Sequence, residues 1–120
     1  MRKLSELTDW DRLLKRILWT QLGDIKGKKI LDFGSGEGIT ANHFAKDNEV
    51  VAVEPWEEML QNRWQDYEYL QIQEDTSAIA EMKDDSFDMV FCHNVLEYID
   101  DKAQVIKELC RVLKPGGQLS

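Results

Sequence analysis

The residues best suited to chemistry are a cluster of glycines and a set of carboxylates that follow short apolar runs. Gly34, Gly36 and Gly38 stand at alternate positions directly after Asp32-Phe33. A backbone rich in glycine can turn sharply and let a ligand approach closely. Glu54 follows a second apolar run, and its carboxylate could accept hydrogen bonds from both hydroxyl groups of a ribose. These residue types indicate a site for a nucleotide-type ligand.

The elements around the glycines support that interpretation. Ile30, Leu31 and Phe33 predict a buried strand before the glycine turn, and residues 39–45 have the composition of a helix. Strand, glycine turn and helix form the layout of a nucleotide-type site in an α/β sheet.

The same turn argues against phosphate-bearing ligands. The dehydrogenase fingerprint needs Gly or Ala where this chain has Ile39, and no Gly-Lys-Ser/Thr sequence follows the glycines. Glu37 would also repel a pyrophosphate at the start of the helix. The pattern therefore favours a ligand with an adenosine-like part and no phosphates, and disfavours a nicotinamide-linked oxidoreductase.

Three further strands are predicted downstream. Residues 49–53 form a β-branched run that ends at Glu54, which lies about twenty residues after Gly34, where a doubly wound sheet places a ribose-binding acid. The alternative for Glu54 is a solvated side chain at a strand end. Residues 69–73 alternate as an edge strand does, and residues 87–92 are apolar enough for a central strand, with a structural role for Asp88 near its start.

Three amphipathic or capped segments predict further helices. Residues 8–23 carry an apolar stripe and are expected to pack on the sheet, with a lid over the ligand as the alternative. Pro55 suits the start of a helix over residues 56–64. Residues 101–113 form a third helix, with Ile106 among its inward residues, which residues 114–117 should break.

Composition limits the class of protein. The chain has 120 residues, a formal net charge of −8 and 42% hydrophobic residues, which suits one folded domain rather than a disordered chain. It shows neither a signal peptide nor an apolar run long enough for a membrane helix, so we expect a cytoplasmic protein with reduced cysteines at Cys92 and Cys110. The acidic balance argues against a general nucleic-acid surface.

The motifs taken together resemble class I S-adenosylmethionine-dependent methyltransferases. The resemblance rests on Asp-Phe-Gly-Ser-Gly-Glu-Gly at 32–38, Phe-Asp at 87–88 and Arg-Val-Leu-Lys-Pro-Gly-Gly at 111–117, and covers roughly residues 27–120. It implies a Rossmann-like, doubly wound α/β fold with a mainly parallel sheet and helices on both faces. Residues 1–26 would then be an N-terminal helix packing on the sheet, and residues 27–120 the S-adenosylmethionine-binding domain.

The resemblance also implies the cofactor, S-adenosyl-L-methionine, and the residues that hold it. Asp32 and the backbone of Gly34 and Gly36 would hold the methionine part, Glu54 the ribose, and Asp75 the adenine amino group. Glu74 is the rival of Asp75, because the sequence does not fix the register to one residue. The cofactor-binding set predicted in this way is Asp32, Gly34, Ser35, Gly36, Glu54, Pro55, Trp56, Asp75, Thr76 and His93.

Two more of these residues have open alternatives. Trp56 could form a wall of the adenine site or pack in the core. His93, at the end of the fourth strand, is the nearest candidate for a general base, if the acceptor needs one, and equally a hydrogen-bonded structural histidine. No metal site is predicted.

The methyl acceptor is open at this stage. Residues 93–98, with the Pro-Gly-Gly turn, resemble bacterial enzymes that methylate a carboxymethoxy group on the tRNA wobble uridine. Small-molecule, quinone-type and protein acceptors are the alternatives, and a non-catalytic cofactor-binding module is the competing class.

The family fold continues beyond the last residue of this sequence. Only about two residues of a fifth strand are expected after Gly117, so we expect a fragment of a longer protein, truncated in that strand. Its exposed sheet edge could pair with another copy to form a homo-oligomer.

Overall fold

The fold is built on one five-stranded sheet. The computed structural model describes residues 13, 16–17, 19–20, 24–93 and 99–120. Every pair of neighbouring strands is parallel, and the spatial order is β3-β2-β1-β4-β5. The strands are β1 (Lys29–Phe33), β2 (Glu49–Val53), β3 (Leu70–Ile72), β4 (Phe87–Phe91) and β5 (Leu113–Leu119).

Helices connect these strands, as parallel pairing requires. Between residues 24 and 93 and between 99 and 120 the helices are α1 (Ile39–Ala45), α2 (Glu57–Gln61), α3 (Ser77–Ala80) and α4 (Lys102–Val112). The bounds of α1 match the prediction, whereas α2 is shorter than expected and α3 was not predicted. Asp101 caps α4, because its Oδ1 accepts a hydrogen bond from the Gln104 N–H at 3.1 Å.

Both faces of the sheet are covered, since alternate strand residues enter two separate cores. On β1, Leu31 and Phe33 pack with residues of α3 and α4, whereas Ile30 packs with Ala41 and Phe44 of α1. The predicted Rossmann-like fold, with a parallel sheet and helices on both faces, is confirmed.

The connection from α4 to β5 differs from the prediction. Residues 114–117 were expected to form a turn before about two strand residues, but β5 starts at Leu113 and pairs with Phe87 of β4. The ladder resumes where Met89 pairs with Gln118, so residues 114–117 bulge out opposite Asp88. The Asp88 carboxylate accepts from the Lys29 N–H at 2.8 Å and lies 3.4 Å from Lys114 Nζ, which fits the structural role predicted for it.

One side-chain prediction is also corrected. Ile106 is 38% exposed, because its position on α4 turns away from the stripe that Val105, Leu109 and Val112 bury against the sheet. Cys110 is exposed on the same helix, and both cysteines are free thiols.

Within the helix predicted over residues 8–23 the structure describes five positions, and all five have helical backbone. The rest of the predicted helix over residues 8–23 lies outside the described residues. Trp19 stacks on His43 of α1, with ring centroids 3.7 Å apart and planes 2° from parallel. Burial lowers the pKa of His43 beneath this ring. Within the described part of the chain, no helix has the length and apolarity needed to cross a membrane.

Gly38 joins the glycine turn to α1, and its lack of a side chain is required there. Its φ is +81°, and it occupies the N-cap position of α1. A Cβ at this position would collide with the hydroxyl of Tyr69, which donates a hydrogen bond to the Trp64 carbonyl. The loop after α2 therefore packs directly against the glycine backbone, and only glycine allows that approach.

Candidate functional site

A cavity of about 1070 Å³ opens at the carboxyl ends of the strands. The loops that follow β1, β2 and β3, the end of β4 and the start of α4 line it. In a doubly wound sheet this edge is where ligands bind, at the point where strand order reverses from β1 to β4. Nine of the ten predicted cofactor-binding residues line the cavity, and Asp32 is the one that does not.

The glycine loop is fixed to β2 by backbone hydrogen bonds. The N–H groups of Gly34 and Ser35 donate to the Val53 carbonyl at 2.8 and 3.0 Å. Gly36 has a φ of +57°, and a Cβ built on it would meet no atom within 4 Å. The loop therefore presents bare backbone to the cavity, as the sequence predicts for close approach of a ligand.

Glu54 lies buried at the end of β2, with only 8% of its surface exposed. Its Oε1 accepts from the Gly36 N–H at 2.9 Å, and its Oε2 accepts from the Trp56 N–H at 3.1 Å. Each carboxylate oxygen can accept a further hydrogen bond. The alternative of a solvated side chain is wrong, because Glu54 lines the cavity and is held between two loops.

Trp56 and Asp75 also line the cavity. Trp56 is 57% exposed, so the alternative that placed it in the core is wrong. Asp75 is exposed, and its Oδ1 accepts from the Ser77 N–H at 2.9 Å, a bond that lowers the pKa of this carboxyl. Thr76 follows Asp75 at the start of α3 and also lines the cavity, whereas Glu74 does not.

Asp32 lies in β1, beneath the glycine loop, and is 4% exposed. Burial raises the pKa of the neighbouring Cys92 thiol to about 11, and the charge of Asp32 adds to the rise. Burial also raises the pKa of Tyr69, and Asp32 contributes in the same direction. The structure therefore places the Asp32 carboxylate in a buried position rather than on the cavity wall.

His93 lines the cavity at the end of β4. Its ring stacks on Phe91 with centroids 5.4 Å apart, and its Nε2 lies 2.9 Å from the Ser120 hydroxyl. The hydrogen-bonded structural role and the role of a base are both compatible with this position. The neighbouring residues 94–98, which carry the tRNA-type resemblance, lie outside the described residues.

The contribution of α4 to the cavity was not predicted from the sequence. Gln104, Val105 and Glu108 of α4 line it, and so do Ile99, Asp100 and Asp101 just before the helix, although the sequence predicted only that this helix packs on the sheet. The amphipathic pattern predicts which face is buried, but not which polar residues border a ligand space. Among the described residues that line the cavity none is Lys or Arg, and six are acidic: Glu37, Glu54, Asp75, Asp100, Asp101 and Glu108.

Comparison with known proteins gives the family. Residues 31–120 match the model of the methyltransferase domain family. The chain therefore belongs to this methyltransferase family, and the predicted resemblance is confirmed at that level.

Individual relatives agree with the family match. A ubiquinone biosynthesis O-methyltransferase of Pseudomonas entomophila is 35% identical over 103 residues, which are 79% of this chain and 44% of the relative. The chain thus spans less than half the length of that relative.

Solved structures share the fold. An arsenic(III) S-adenosylmethionine methyltransferase from Chlamydomonas reinhardtii aligns with a TM-score of 0.67 and 27% identity, over 79% of this chain and 38% of its own. A SAM-dependent methyltransferase from Archaeoglobus fulgidus aligns with a TM-score of 0.77 over 89% of this chain and 50% of its own. At 18% identity, the second comparison establishes the fold alone.

Proposed function

We propose that this chain binds S-adenosyl-L-methionine in the cavity and forms the cofactor-binding part of a methyltransferase. The observation that carries the proposal is the pairing of Glu54 with the bare backbone of Gly36 at one cavity wall. A carboxylate that can still accept hydrogen bonds suits a ribose diol, and a glycine loop without side chains suits close contact with the rest of the ligand. The family match supports the same ligand.

The ligand would extend along the edge formed by the first three strands. Ribose hydroxyls would donate to Glu54, adenine would lie between Trp56 and the Asp75–Thr76 segment, and the methionine part would reach over the glycine loop. The acidic lining fits a ligand with a positively charged sulfonium and ammonium, and disfavours one with phosphates.

The chemistry would need little covalent participation from the protein. S-adenosylmethionine supplies an activated methyl group, so the protein has to align the acceptor atom with the methyl carbon and sulfur. The glycine loop and Glu54 would fix one side of that alignment. His93 would face the acceptor side, where its ring could take a proton from a hydroxyl group if the acceptor carries one.

For the acceptor, we propose a hydroxyl group on a small molecule. The support comes from the relatives named as ubiquinone biosynthesis O-methyltransferases. The acidic lining of the described cavity also disfavours a polyanion such as tRNA, since like charges repel across a low-dielectric cleft.

Calorimetric titration with S-adenosylhomocysteine tests the cofactor assignment. Wild-type protein should bind it, and Glu54→Ala should weaken binding at least tenfold, because a charge-assisted hydrogen bond contributes about 1.5–3 kcal/mol. Glu57→Ala is the matched control, since Glu57 lies three residues along in the exposed first turn of α2. Absence of binding, or equal affinity in the Glu54 variant and the control, would contradict the assignment.

A further inference from the structure

Glu54 ties together two stretches of backbone that are far apart in sequence. Its Oε1 accepts from Gly36, 18 residues upstream in the loop after β1, and its Oε2 accepts from Trp56 just before α2. Both loops line the cavity. Because the side chain is buried, water competes weakly for these bonds.

We infer that Glu54 is a positioning residue that holds the Gly36 loop in its binding shape before any ligand arrives, in addition to the ribose contact proposed above. The inference takes the cavity to be the cofactor site and so rests on the proposed function. Each of the two N–H groups points at one carboxylate oxygen. An amide in place of the carboxylate would turn an NH₂ group toward one of them, so Gln cannot form both bonds.

The glycine loop needs such support at this residue. The N–H groups of Gly34 and Ser35 are already fixed to Val53, whereas that of Gly36 donates to the Glu54 side chain. Gly36 also has a positive φ and open space on its Cα, so side-chain packing does not hold it in place. Since its N–H is taken, the carboxylate of a bound methionine group would have to contact another part of the loop, which refines the role predicted for Gly36.

Amide hydrogen exchange of the ligand-free protein tests this directly. The Gly36 and Trp56 amides should be protected in the wild type. In Glu54→Gln the Gly36 or the Trp56 amide should exchange at least tenfold faster, a factor that corresponds to about 1.4 kcal/mol. Glu54→Asp keeps the charge but is one methylene shorter, so it should also lose protection at one of the two amides.

The exposed Glu57→Gln serves as the control for charge and should leave both amides unchanged. Amides of β1 and β4 report whether each variant is folded. Unprotected Gly36 and Trp56 amides in the wild type, or unchanged protection in folded Glu54→Gln, would overturn the inference. This measurement needs no cofactor, so its result tests the positioning role independently of the proposed function.

A second comparison separates positioning from ribose contact. If Glu54 only contacts ribose, Glu54→Gln should reduce the affinity for adenosine and the affinity for S-adenosylhomocysteine by the same factor. If it also positions the glycine loop, S-adenosylhomocysteine should lose at least threefold more affinity than adenosine, because only the former has a homocysteine part that reaches the loop. Equal losses for the two ligands would refute a positioning effect on binding.

Discussion

Replacing Gly38 with alanine should be one of the most damaging single-methyl changes in this fold. The φ of Gly38 is +81°, and left-handed backbone costs a residue with a Cβ about 1–2 kcal/mol. The new methyl group would also collide with the Tyr69 hydroxyl, and overpacking of this kind costs about 1–3 kcal/mol. The expected loss of unfolding free energy is therefore about 2–5 kcal/mol.

Gly36→Ala provides the matched control. Its φ is also positive, but a Cβ there meets open space, so only the backbone cost of about 1–2 kcal/mol applies. At about 4 °C per kcal/mol for a chain of this size, thermal unfolding should separate the two variants.

A double-mutant cycle then isolates the collision. By itself, Tyr69→Phe should lower the free energy of unfolding by about 1 kcal/mol, because it removes the hydrogen bond to the Trp64 carbonyl. In the Gly38→Ala/Tyr69→Phe double variant the colliding hydroxyl is gone, and the nearest atoms to the Cβ lie 3.4 Å away. The double variant should therefore be more stable than the sum of the single effects by about 1–3 kcal/mol. Denaturant unfolding gives these values; additive effects, or equal losses in Gly38→Ala and Gly36→Ala, would refute the reasoning.

Three further predictions concern carboxylates and a thiol. Asp75→Asn should weaken S-adenosylhomocysteine binding in calorimetry while Glu74→Gln does not; the opposite order would assign the adenine contact to Glu74. The pKa of Cys92 is raised to about 11 from an ordinary 9.0, so unfolded chains lose this proton first and stability should fall as pH rises from about 9 towards 11. Cys92→Ala should flatten that fall in urea unfolding, and an unchanged slope would contradict it. Asp88→Ala should lower the free energy of unfolding by about 1–2 kcal/mol, because the Lys29 N–H loses its acceptor. The affinity for the cofactor should stay unchanged, and a loss of affinity would place Asp88 in the site.

Much of the fold could be predicted because the apolar pattern of a segment indicates the same element that its place in the fold requires. The β-branched run that ends at Glu54 favours a buried strand, and because this strand lies parallel to β1, its carboxyl end borders the same cleft as the glycine turn. The predicted bounds of β2 and α1 match the structure for this reason.

The parts that sequence missed depend on contacts between distant segments. In β5, Leu113 pairs with Phe87 and Gln118 pairs with Met89. Four residues, 114–117, therefore lie opposite the single residue Asp88 and bulge out of the ladder. Likewise, the exposure of Trp56 and the cavity contacts of α4 depend on how helices pack across the sheet, which no local pattern encodes.

The central claim is that an adenosine-containing cofactor lies across the ends of β1 and β2. The most direct measurement is the change in backbone amide shifts as S-adenosylhomocysteine is added to labelled protein. The account predicts that the largest changes cluster at residues 34–36, 54–56 and 75–76. Absence of changes there, or changes concentrated in the separate cleft beside Arg63 and Tyr67, would contradict it.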